Sequence, residues 1–216
     1  MFLLLVSGLL LFPNYNGHKI KTHRTLRDMQ LPRSMFHDTG PVVHQTCHGS
    51  CYAETTKNLL EYVYHNKTGK NPESLHLNIR GMMKKSSPPN KGCRGGLPDN
   101  ILMKNPLSYV GINTSESFVS GIDHLKPMQL KFILANHGPI IVGIDSKVSH
   151  FKKHRGSSIF NGCLDKKIPD HAVLLVGYDE YNATWTLKNS YGIDWGDHGF
   201  FYMKDICFFK YYLYCI

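Results

Sequence analysis

The chain has 216 residues, of which 42% are hydrophobic, 19% charged and 12% aromatic. That composition supports one large domain or two small ones sharing a core, and it excludes a disordered tail, a collagen-like fibre and a coiled coil. Lys and Arg exceed Asp and Glu to give a net charge of +9, and 13 histidines add positive charge at acidic pH. Such a balance permits an acidic partner without demanding one.

Met1 to Phe12 is apolar apart from Ser7 and Gly8. The run is about 11 residues, the length of a signal-peptide core and too short to span a bilayer. Residues 1–17 are therefore expected to be a signal peptide, and 18–30 a short basic segment. No later stretch reaches the ~20 apolar residues of a membrane span. Sequons at Asn66-Lys67-Thr68, Asn113-Thr114-Ser115 and Asn182-Ala183-Thr184 agree with a secretory route. Six cysteines suit an oxidising compartment and a few bridges.

From Cys51, apolar positions Tyr52, Leu59, Leu60 and Val63 fall on one helical face. Residues 66–71 read as a loop, and 86–98, with three prolines, as irregular chain. Met128 to His137 is a second helical pattern, stopped by Gly138-Pro139. Ile140–Ile144, Ala172–Val176, Thr184–Leu187 and Phe200–Met203 then read as strands. Helices gather in the first half and strands in the second. The expected class is α+β, with a helical lobe over about 46–115, a sheet lobe over about 116–216 and a cleft between them.

Cys51 follows a Gly49-Ser50 turn and begins the first helix. A helix N-terminus presents free N–H groups and a positive dipole end, which favour a thiolate. His171 stands at the start of a strand, 120 residues after Cys51, and Asn189 follows another strand beside Tyr191 and Trp195. Cys, His and Asn in that order supply a nucleophile, a base and a group that orients the base. His44, Cys47, His48 and Cys51 also admit reading as a metal cluster, though not at a standard zinc spacing. The basic run from Lys147 to Arg155 reads as a solvated loop, with an anionic polymer as the other reading. Nothing resembles a nucleic-acid-binding motif.

Gln45 with Gly49-Ser50-Cys51, then Gly92-Cys93-Arg94-Gly95-Gly96, Gly138-Pro139-Ile140, Asp170-His171-Ala172 and Asn189-Ser190-Tyr191-Gly192 occur in one order along the chain. In this the sequence resembles the papain-like cysteine proteases, which include the lysosomal cathepsins. The resemblance implies a two-lobed fold with a β-barrel-like sheet lobe over residues 31–216. It implies a cysteine endopeptidase acting through an acyl-enzyme. Cys51 is then the nucleophile, His171 the base and acid, Asn189 the orienting amide and Gln45 an oxyanion donor. The resting pair is expected as thiolate and imidazolium. Trp195 is expected to cover Asn189, and Gly95 and Gly96 to pair with an extended substrate. Leu97, Pro98, Gly143 and Asp170 line a roomy pocket for an apolar side chain. Gly49, Tyr191 and Trp195 complete the binding surface. Expected bridges are Cys47–Cys93 and Cys163–Cys207, with Cys163–Cys215 as the alternative.

The same resemblance implies polypeptide substrates, protein inhibitors as potential partners, a monomer, no cofactor and no metal. Its compartment would be the lysosome, a vacuole or the extracellular space. Four departures stand out: Cys47 lies one position early, Tyr52 and Tyr191 replace tryptophans, and Glu54 takes an apolar position. They keep open the alternative of a weak or inactive secreted binding protein of the same fold. Little chain separates the leader from the mature-like Leu31-Pro32, so no long inhibitory prosegment is expected.

Overall fold

The computed structural model describes residues 31–114, 118–121, 125–147, 150–160, 169–204 and 211–215. The expected leader and basic segment, Cys163 and Cys207 lie outside them.

Helix α1 runs Cys51–Thr68, followed by α2 at Ile79–Lys85, α3 at Pro98–Leu102 and α4 at Pro127–His137. Helix α1 passes the predicted loop start at Asn66. Its stop is Gly69, which adopts a left-handed φ of 69° and returns its N–H to His65 O, a conformation glycine takes at least cost. Pro127 opens α4 at its first turn, where no N–H is needed.

Strands are β1 (Ser34–Phe36), β2 (Phe118–Gly121), β3 (Ile140–Ile144), β4 (His171–Asp179), β5 (Thr184–Lys188), β6 (Phe200–Met203) and β7 (Tyr211–Cys215). They form one antiparallel sheet in the order β2-β7-β3-β4-β5-β6, with β1 paired to the far end of β4. Among the described residues the sheet stays open: β2 and β6 are its unjoined edges. The expected barrel-like lobe is therefore an open sheet, because β1 and β3 divide the length of β4 between them instead of closing a ring.

Strand β4 separates two cores. Val173 and Leu175 pack with α4, Phe151, Trp195 and Phe201. Ala172, Leu174 and Val176 pack with Leu59, Leu60 and Val63 of α1. A strand's side chains alternate faces, so one strand serves both lobes. Its residues 171–178 are all buried, which explains a nearly continuous apolar run. Among the described residues no helix is long and apolar enough to cross a membrane.

Candidate active site

Cys51 is the first residue of α1, so its N–H has no intrahelical acceptor. Ser50 shapes the preceding turn. Its N–H and hydroxyl both donate to Cys47 O, and its Oγ accepts the Cys47 N–H at 3.1 Å. The Ser50 hydroxyl thus holds the displaced Cys47 rather than capping the helix. Cys47 is bridged to Cys93 as expected, and this removes it from any metal set. The bridge lays the 93–96 loop on the Cys51 turn. A methyl group at Gly49 would lie 2.5 Å from Cys93 O and 2.7 Å from Gly95 N, so only glycine allows this approach.

His171 begins β4, on the sheet face that carries Val173 and Leu175. Its Nε2 lies 2.8 Å from Asn189 Oδ1, which also accepts the Ser190 N–H at 2.8 Å. An amide oxygen only accepts, so Nε2 carries the proton and Nδ1 keeps its lone pair. Among the described residues Asn189 Nδ2 is buried with no partner, and turning the amide over would set its N–H groups against the Ser190 N–H and lose that bond. The side chain is therefore fixed as an acceptor.

Burial pushes His171 down to about 4, partly offset by the Asn189 bond and the Asp170 charge and reinforced by His48. Burial pushes the Cys51 thiol up, and the Asp170 charge adds to this. The N–H groups of Ala172, Tyr52 and Cys51 act in the opposite direction. Each group alone resists charging. These environments disfavour the expected thiolate–imidazolium pair: burial acts against charge on both groups, so the resting pair is a neutral thiol and a neutral imidazole.

Tyr191 lies against the His171 ring at a centroid separation of 4.8 Å. Trp195 packs on Tyr191 and on Phe151, and its Nε1 donates to Phe151 O. Phe151 is fully buried and meets His171, Tyr191 and Phe201. It belongs to the basic run read as a solvated loop; that run is anchored by one aromatic. An apolar residue isolated among Lys and His was the signal available for it.

Gln45 is turned toward its own loop. Its Nε2 donates to Cys47 O at 2.9 Å and to His48 O at 2.8 Å, and its Oε1 accepts from Ser190 Oγ. Both amide hydrogens are engaged, so an oxyanion must displace one of these carbonyls to use them. Glu54 is buried, and its Oε1 accepts the N–H and hydroxyl of Thr46, each at 2.9 Å. Those bonds answer the cost of a buried carboxylate.

Beyond the bridge, Gly95 has a left-handed φ of 102° and Gly96 packs on the Asn90 side chain. Asn90 binds both Leu97 N–H and Leu97 O, fixing the loop. Among the described residues the Gly96 N–H and C=O have no partner, which suits pairing with an extended chain. Leu97 is half exposed beside it, and Pro98 is buried at the start of α3. Gly143 pairs with Ala172 and shares its sheet face toward α1. Asp170 precedes His171 and accepts from Ser146. A cavity of about 360 Å³ on the helical lobe, lined in part by Leu75, Met82 and Ile101, contains none of these residues.

The family model described as papain family cysteine protease matches residues 108–208, a span holding His171 and Asn189. Human cathepsin L2 is 29% identical over 88% of this chain and 65% of its own length. The viral cathepsin of Cydia pomonella granulosis virus is 31% identical over 76% of this chain and 54% of its own. Chicken (Gallus gallus) cathepsin K is 30% identical over 77% and 57%. The chain thus spans just over half to about two thirds of these relatives. A solved structure, from work on limited antibody cross reactivity between the mite allergens Blo t 1 and Der p 1, superposes with a TM-score of 0.69. It covers 96% of this chain and 75% of the other at 16% identity, a likeness of fold alone. The sequence relatives and the fold agree, and over residues 108–208 the chain is similar to the papain family of cysteine proteases.

Proposed function

We propose that the chain is a cysteine-type endopeptidase that hydrolyses peptide bonds through a Cys51 acyl-enzyme. The observation that carries this reading is the 2.8 Å bond from His171 Nε2 to Asn189 Oδ1. It leaves Nδ1 as the lone pair that takes the Cys51 proton as sulfur attacks the carbonyl carbon. The carbonyl oxygen becomes an oxyanion near the Cys51 N–H, at the positive end of α1. His171, now protonated, gives its proton to the leaving amine. A water molecule, deprotonated by His171, then attacks the thioester and frees the acid and Cys51. Burial of the proton-bearing pair keeps bulk water from competing for the proton. The substrate's acyl side pairs with Gly96. The leader and sequons direct the protein into the secretory pathway, toward lysosome, vacuole or the outside.

The test uses internally quenched and end-labelled peptides with a thiol-directed epoxide. The epoxide should label Cys51 in the folded protein at pH 5–7, and Cys51→Ala should abolish hydrolysis while the fold persists. Cleavage of the end-labelled peptide alone would replace endopeptidase with exopeptidase. Persistent cleavage by Cys51→Ala sinks the nucleophile assignment.

One observation favours a second reading. Both Gln45 amide hydrogens are bonded to Cys47 O and His48 O, which leaves an oxyanion with the helix N–H alone. A weak or inactive binding protein of this fold would look so, and it would show neither labelling nor cleavage.

A further inference from the structure

Resting on the peptidase reading, we infer that Lys147 makes the cleft selective for a carboxylate on the residue just after the scissile bond, chiefly an Asp or Glu side chain.

The chemistry fixes which side is which. Sulfur bonds to the acyl carbon, and the leaving nitrogen must be reached by His171. The residue after the cut therefore lies over His171 and its neighbours, away from the Gly95-Gly96 loop that packs on Gly49. On the His171 side stand Tyr191, Asp170, Ser146 and Lys147. Asp170 immediately precedes His171, and Tyr191 lies 4.8 Å from the His171 ring centroid. Ser146 binds Asp170 Oδ1 through both its N–H at 2.7 Å and its hydroxyl at 2.9 Å. The Ser146 hydroxyl also meets that of Tyr191. This platform is fixed.

Lys147 sits at its rim. Its Nζ is 3.5 Å from Asp170 Oδ2, longer than an ordinary N–H···O bond, and its side chain is 67% exposed. Asp170 thus holds the ammonium loosely beside the leaving side, and most of its donors remain open to a second acceptor. An incoming carboxylate can bind Lys147 while Ser146 saturates Asp170 Oδ1. His48 is the other basic side chain close enough to act on His171. Asp170 is the opposing charge. Without Lys147, the carboxylate of Asp170 would repel an acidic residue and attract a basic one.

The experiment uses the full chain and a series of internally quenched peptides with blocked termini, differing only after the cut: Glu, Gln or Lys. The expected kcat/KM for Glu exceeds that for Gln by about three- to fivefold at low salt, the scale of an exposed ion pair. The preference shrinks at about 0.5 M salt, where the Debye length falls below 5 Å. Lys147→Ala should invert the Glu-to-Lys order, and Lys147→Arg should keep it. A further arm ends the peptide in a free carboxylate at that position. Preference for that arm alone keeps Lys147 as the partner and assigns the chain end as the carboxylate. Equal rates for Glu, Gln and Lys, or a preference untouched by Lys147→Ala, overturns the inference while the peptidase reading stands. Cleavage of no peptide overturns both.

Discussion

Burial of the Cys51–His171 pair predicts an unusually wide plateau of activity with pH. The perturbation is pH itself. His171 is pushed from 6.5 to about 4 by burial, and the Cys51 thiol is pushed up. The pair then holds its single working proton from about pH 4 to beyond the ordinary thiol range. The plot of kcat/KM against pH for a quenched peptide should show an acid limb near 4 and a late alkaline limb. The move of His171 from 6.5 to about 4 corresponds to about 3 kcal/mol of differential interaction. The same burial links to stability. Between pH 6.5 and about 4 the unfolded chain binds a proton that the folded chain refuses. The His171 contribution is therefore complete above pH 6.5 and lost as pH falls to about 4, removing about 3 kcal/mol. Urea midpoints of the wild type and His171→Gln, measured across pH 3.5–7.5, isolate that contribution as their difference. Asp170 and His48 are the charged neighbours that act on His171, and they are common to both proteins. An acid limb near 6.5, or parallel urea curves, would refute the argument that burial governs this histidine.

Asn189→Ala leaves His171 Nε2 and the Ser190 N–H without their shared acceptor. Losing a buried bond costs about 1–3 kcal/mol, so kcat should fall by about 5- to 150-fold with little change in KM, and the acid limb should move lower because that bond raises His171. An unchanged acid limb would show that Asn189 does not hold the imidazole. Glu54→Ala removes the acceptor of two Thr46 donors and should destabilise the fold by about 2 kcal/mol in urea denaturation. Glu54→Gln keeps an oxygen at that place and should lose less; equal stability of all three would mean the buried carboxylate holds nothing.

Strands β3 and β6 were legible at their true bounds because they are short apolar runs between turn residues. Strand β1 was not legible. Ser34–Phe36 lies in basic, irregular sequence and becomes a strand only because β4 offers its far end. Helix α1 runs past the loop start expected at Asn66, because residues 66–68 are polar and hold a sequon and so carry no apolar periodicity; its stop is set by Gly69. Cys51, His171 and Asn189 could be picked out by chemistry and order. The orientation of Gln45 could not, since it depends on two carbonyls in its own turn and on Ser190, 145 positions away. Lys188 is the clearest omission. It is buried with Nζ bonded to Thr39 O, Thr39 Oγ1 and Gly40 O. Nothing near it in sequence points to those acceptors.

Lys188 also explains how residues so distant in sequence meet. Its three bonds hold the 39–40 backbone against the end of β5. From there the two segments run together: His44 bridges Tyr191, Gln45 N–H donates to Ser190 O, and Gly192 N–H donates to Val43 O. Asn189 lies within the stretch this ladder clamps, and its own N–H is tied to Gly199 O on the other side. Six residues after Gln45 comes Cys51, in the turn locked by Ser50 and the Cys47–Cys93 bridge. Cys51 is thus fixed relative to Asn189 by the 39–51 segment, while β4 places His171 from the opposite direction through its packing between α1 and Phe151. Two independent routes converge at the start of β4, where the Ala172 N–H and the Asp170 charge act on the Cys51 thiol. Loosening either should move the base relative to the sulfur more than it unfolds the lobes, because each core retains its own apolar contacts.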